Sequence, residues 1–133
     1  MYTAVVLTPE SRAKLLAVVA TNLQTMGSGW EAIAHHMTIC LGPYEKTMGE
    51  AVVSEFPVGS QVTLEVVGAA INGSVFAVKV DTKVPSKNRT KHITIAVNKA
   101  KGAKPVMSNY LTDWTSFPVS LKLTGVIEEV AGR

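Results

Sequence analysis

Two short stretches constrain this chain more than any other feature: His36-Met37-Thr38-Ile39 and, much later, His92-Ile93-Thr94-Ile95. Each sets polar residues alternately with apolar ones. In a β-strand successive side chains point to opposite faces, so His36 and Thr38 share one face while Met37 and Ile39 turn to the other. His92 and Thr94 repeat the pattern over Ile93 and Ile95. The chain must therefore form two half-buried strands, each with an apolar side in the core. If the strands lie close together, one surface carries two imidazoles and two hydroxyls.

The remaining elements are those needed to build a core around such strands. Residues 2–7 read as a first strand of apolar and β-branched residues. Thr8-Pro9-Glu10 opens a helix: threonine caps, proline suits the first helical position, and glutamate favours the positive end of the dipole. Leu15, Leu16, Val19, Leu23 and Met26 mark its buried face, and Gly27 and Gly29 stop it. Residues 30–41 lead into and contain the first motif strand. A short helix is expected over residues 46–56 and a strand over 62–67. Asn72-Gly73 is a hairpin signal, because both residues tolerate positive φ. It joins that strand to another over residues 75–80. Residues 81–90 form a loop delivering the second motif strand, residues 99–104 a basic loop, and residues 105–114 at most a short helix. Val119, Leu121 and Leu123 alternate in a last strand running on through Gly125-Val126-Ile127. This order describes an α+β domain with mostly antiparallel pairing.

At 133 residues, with 47% hydrophobic and 17% charged content, the chain suits one globular domain, residues 1–133, with one core. No apolar run approaches the roughly 20 residues of a membrane helix. The N-terminus has no basic segment followed by a long apolar one, so no signal peptide is expected. Cys40 is the single cysteine, which excludes an internal disulfide and fits a reducing, cytoplasmic setting. It shares the His36 face by parity and reads as an inert thiol. No membrane partner is expected, and a monomer is.

Net charge is +3, and its distribution is uneven. Seven of the thirteen basic residues, Lys83, Lys87, Arg89, Lys91, Lys99, Lys101 and Lys104, fall within residues 83–104, which contain no acidic one. Such runs are commonly solvated surface. This one brackets the second motif, which points to an anionic ligand.

Two histidines and two hydroxyls suit phosphodiester chemistry. Histidine serves as base or acid near neutral pH because its ordinary pKa is about 6.5. A hydroxyl two residues away donates to a phosphate oxygen as charge builds. Zinc is the competing use of histidine. On a regular strand, however, His35 points away from His36, leaving two imidazoles where zinc takes three or four ligands. Neither a metal nor any other cofactor is expected. A serine-hydrolase triad fails for want of an acid partner and of a Gly-x-Ser-x-Gly elbow.

The paired His-x-Thr motifs, with the element order around them, resemble the 2H phosphoesterase superfamily. Its members include 2′-5′ RNA ligase-like proteins and the cyclic phosphodiesterase domains of tRNA ligases. The resemblance runs from the first strand to Leu123-Thr124-Gly125-Val126-Ile127, without much of the helical material between the lobes of larger members. It implies a compact bilobal fold with mostly antiparallel sheets flanking a central groove. It also implies a metal-independent phosphodiesterase that hydrolyses 2′,3′-cyclic phosphate ends of RNA or nucleotides. His92 would then activate water, His36 would protonate the leaving 3′ oxygen, and Thr38 and Thr94 would hold the phosphate. From the residues alone the two histidine roles are interchangeable. The run Ala103-Lys104-Pro105-Val106-Met107-Ser108-Asn109 is similar to the loop after the second motif in tRNA-ligase-type domains, so Lys104, Ser108 and Asn109 are candidate nucleotide contacts. Capping by Ser108 or Asn109 is the competing use. Tyr2, Trp30, Tyr44, Tyr110 and Trp114 are candidate stacking residues, with Tyr44 favoured for its loop position. Two other readings stay open: cleavage of cyclic or linear oligonucleotide signals, as in phage counter-defence, and a non-catalytic RNA-binding module.

Overall fold

The computed structural model describes residues 1–131. Seven strands alternate with short helices: β1 (Tyr2–Leu7), α1 (Pro9–Val18), α2 (Ala20–Thr25), β2 (Trp30–Ala32), β3 (His36–Leu41), α3 (Tyr44–Met48), α4 (Glu50–Glu55), β4 (Gln61–Ile71), β5 (Val75–Asp81), β6 (His92–Asn98) and β7 (Thr115–Val130). Two 3₁₀ segments, Lys99–Lys101 and Pro105–Tyr110, lie between β6 and β7. The α+β class and the antiparallel pairing are as the sequence leads one to expect.

The strands join in the order β2-β6-β3-β1-β7-β4-β5, and β5 pairs back onto β6. The sheet thus closes into a barrel-like form. Closure covers the edge that β5 would otherwise present. Met37, Ile39, Ile93 and Ile95 are fully buried and share one core with Val5, Leu64, Val78 and Ile127.

Local chemistry explains the element boundaries. The Thr8 hydroxyl accepts the Ser11 N–H at 3.2 Å, capping α1 with Pro9 in its first turn. The expected single helix breaks at Val19, yet Leu15 and Val19 are buried as their spacing requires. The helix expected over residues 46–56 is divided by Gly49, whose φ of +91° only glycine adopts freely. Asn72 turns the β4–β5 hairpin, its side-chain oxygen accepting the N–H groups of Ser74 and Val75 at 2.8 and 2.9 Å. A second, smaller apolar cluster of Ala70, Val75, Ala77, Val97, Ala103 and Leu111 forms outside the main core. Met107 and Trp114 pack against it. This cluster fixes the chain that follows β6 over the barrel wall.

Candidate active site

β3 and β6 are antiparallel neighbours, with Met37 opposite Ile93. Both of these side chains are buried, so His36, Thr38, His92 and Thr94 turn to the other face of the same two strands. Carrying the register outward sets His36 beside Thr94 and Thr38 beside His92. The two histidines are then diagonal neighbours, about 7–8 Å apart at Cβ in a ladder of this kind. The sequence motifs meet on one surface, each histidine beside the other motif's threonine.

His92 is held closely. It is 8% exposed, and its Nδ1 lies 2.7 Å from the Thr90 carbonyl oxygen. A carbonyl only accepts, so Nδ1 carries the proton and Nε2 is left with its lone pair. Burial pushes the His92 pKa below its ordinary 6.5, and the bond to the Thr90 carbonyl partly opposes this. The result is a neutral imidazole with a basic nitrogen. The Trp114 ring lies 6.4 Å away, centroid to centroid.

Thr94 is 9% exposed and Ser108 1%. Their hydroxyls are 2.8 Å apart, and the Pro105 carbonyl is 3.4 Å from the Thr94 oxygen. The Thr94 hydroxyl donates to the Pro105 carbonyl, which leaves Ser108 to donate to the Thr94 oxygen. Ser108 is therefore buried behind Thr94 and does not itself contact a nucleotide, which corrects the expectation from the loop sequence. Asn109 and Lys104 are exposed on the same segment. Thr38 is half-buried, and its carbonyl accepts the Ser86 hydroxyl at 2.8 Å.

The His36 ring lies against Tyr2, with centroids 5.0 Å apart and the planes tilted by 33°, so Tyr2 does reach the site. His35 also meets it. Its ring stands edge-on to His36 with the two Nδ1 atoms 2.9 Å apart. The expectation that His35 points away fails for a backbone reason. β3 begins only at His36, and Ala34 just before it has φ +46°. The rule of alternation does not cross such a break. Tyr44 is a second correction. It is 2% exposed in the core, its hydroxyl donating to the Phe56 carbonyl at 2.7 Å, so no base stacks on it. Cys40 is buried in the same core and does not line the site.

The basic segment does not fold into one patch. Ser86 and Lys87 bond to the Thr38 and Ile39 carbonyls, laying the loop that carries Lys87 and Arg89 along β3. Lys99 and Lys101 follow the far end of β6, roughly 23 Å from His92 at strand spacing. Lys99 is also paired with Glu31 at 3.1 Å.

Among the described residues no three His, Cys, Asp or Glu side chains gather as a metal would require. Among the described residues no helix is long and apolar enough to cross a membrane. Scanned against protein-family models and against curated proteins, the chain matches none.

Proposed function

We propose that this protein is a metal-independent phosphodiesterase of the 2H type, hydrolysing 2′,3′-cyclic phosphate ends of RNA or nucleotides. The observation that carries this reading is the pairing of β3 with β6, which turns both His-x-Thr motifs to one face. His92 supplies the base. Its Nε2 takes a proton from water as the oxygen attacks phosphorus, while the Thr90 carbonyl keeps Nδ1–H in place. His36 supplies the acid and gives a proton to the departing 3′ oxygen. The P–O3′ bond breaks, and the product is a 2′-phosphate with a free 3′ hydroxyl. Thr94, held by Ser108, exchanges its Pro105 acceptor for a non-bridging oxygen as negative charge grows, and Thr38 donates to another. In the 2H superfamily two lobes flank such a site; here the reading takes the two motif strands of the barrel as its counterpart.

The test is a substrate panel: a nucleoside 2′,3′-cyclic phosphate, an RNA bearing that end, and a cyclic oligonucleotide. Turnover of the first two, lost in His36→Ala and His92→Ala, supports the proposal. Turnover of the cyclic oligonucleotide alone assigns the same four groups to a signal-cleaving enzyme. RNA binding with no turnover of any substrate would leave a binding module and overturn the reading.

A further inference from the structure

We propose that His35 is a positioning and proton-sharing partner of His36, so that the two imidazoles take up one proton between them. This rests on the reading of His36 as the acid. The observation is the contact of Nδ1 with Nδ1 at 2.9 Å. Two ring nitrogens at that distance need one hydrogen between them, so one donates and the other accepts. Two imidazolium rings would set N–H against N–H, and the contact excludes that state. When the pair holds one extra proton, His36 is the cation. It donates Nδ1–H to the neutral His35 and keeps Nε2–H for the leaving oxygen. After that proton leaves, His36 is neutral and still bonded to His35 through Nδ1. The arrangement parallels His92, whose Nδ1–H is held by the Thr90 carbonyl. Both histidines then turn the same nitrogen to the reaction.

The backbone supports a built contact. Ile33 and Ala34 donate to the Ile95 and Thr94 carbonyls at 2.7 and 3.0 Å, continuing the β2–β6 ladder. The chain then swings away at Ala34, with φ +46°, and the His35 carbonyl accepts the Leu7 N–H of β1 at 3.0 Å. An alanine at positive φ is strained and persists only where its surroundings impose it. The bend at this residue breaks the alternation and leaves two consecutive histidines in contact. Among the described residues, titratable or charged groups on neighbouring elements include Tyr2 on β1, Glu31 on β2, His92 on β6, Lys87 and Arg89 on the loop along β3, Lys104 before the 3₁₀ segment, and Glu10, Arg12 and Lys14 on α1. Arg12 is held by the Ile33 carbonyl at 3.0 and 3.2 Å.

Ring-nitrogen NMR titration of the intact protein, wild type and variants, tests this without any assay of turnover. In the wild type, the Nδ1 signals of His35 and His36 should report one shared hydrogen, with one nitrogen protonated and the other accepting. His35→Ala removes the acceptor for the cation, so the His36 titration should move down by about 0.5–1 pH unit, as loss of a bond to the charged form requires. The alkaline limb of kcat/KM should move with it. His35→Asn places an amide oxygen near the lost nitrogen and should restore most of the shift while titrating nowhere itself. An unmoved His36 titration in His35→Ala overturns the proposal. A shift that His35→Asn fails to restore also overturns it, reducing His35 to packing. A shared Nδ1 hydrogen in a protein that turns over no phosphodiester would support the pair and remove only its catalytic use.

Discussion

His92 and His36 sit in unlike surroundings, and under the proposed mechanism this separates their roles. A base must be neutral before reaction, and burial keeps His92 so below its ordinary pKa of 6.5. The acid limb of kcat/KM should therefore lie below pH 6.5, with an alkaline limb where the acid loses its proton. A rate profile with its acid limb above 6.5 would mean that His92 is not the base. Each of His36→Ala and His92→Ala should lower kcat by about 10²–10⁴-fold, the usual worth of a positioned proton-transfer group. The same burial affects folding. The unfolded chain binds a proton at His92 more readily than the native one, so stability falls as pH drops below about 6.5 and through the lower native value. Denaturant melts of the wild type and His92→Ala across this range should show a shallower acid loss in the variant. In the proposed mechanism Ser108 acts one step back, through its contact with Thr94. Ser108→Ala leaves the Thr94 hydroxyl without its buried partner, and a lost hydrogen bond of about 1 kcal/mol predicts a several-fold fall in kcat/KM. A variant with unchanged kinetics would remove Ser108 from the site.

At the scale of elements, the site depends on strands meeting in one register, and Gly125 is a sensitive point. A Cβ there would run into the Val5 side chain and come within 3.0 Å of the Val6 carbonyl oxygen. Both neighbours belong to β1, which pairs with β7 on one side and β3 on the other. Gly125→Ala should destabilise by about 1–3 kcal/mol, the typical cost of overpacking, read as a lower midpoint in chemical denaturation. An unchanged midpoint would mean that β1 and β7 move apart freely. The first and last strands were legible in the sequence, as were the Asn72-Gly73 hairpin and both motif strands, because each carries its periodicity or turn chemistry locally. The bend at Ala34 was not, since nothing in Ile33-Ala34-His35-His36 requires positive φ. Its cause is tertiary: two ladders, to β6 and to β1, claim consecutive residues. Tyr44 failed for a related reason. An aromatic residue after Gly42-Pro43 suits an exposed turn, but the Phe56 carbonyl offers its hydroxyl a buried acceptor that only the folded α3–α4 pair creates.

At the scale of the molecule, barrel closure depends on pairing of β5 with β6 and β1 with β7. Such distant partners leave no mark in a window of sequence. Closure also sorts the charges that looked continuous along the chain. Lys87 and Arg89 are exposed on the loop bonded to β3 beside Thr38, whereas Lys99 and Lys101 lie beyond the far end of β6. The donor set predicts that turnover survives a strong chelator. Loss of rate in EDTA, recovered with a divalent ion, would require ligands that the described residues do not gather.

Charge placement gives a sharper test of how substrate approaches. Each phosphate contact contributes about 0.7 to the slope of log affinity against log salt for a single strand. If Lys87 and Arg89 guide an RNA end to the histidines, neutralising both to Gln should flatten that slope by roughly 1–1.5. The pair Lys99→Gln and Lys101→Gln should change it much less, because Glu31 already offsets Lys99 and both lie far from the site. A cyclic mononucleotide reaches fewer of these charges and should show a weaker salt dependence throughout. The measurement is affinity for an RNA oligonucleotide and for a mononucleotide at several salt concentrations, in the wild type and both double variants. Equal flattening by the two pairs would mean that the positive field acts as a whole and that the loop beside Thr38 has no special part. No flattening by Lys87→Gln with Arg89→Gln would return that loop to solvated surface and send the substrate's remaining phosphates along another path from the histidines.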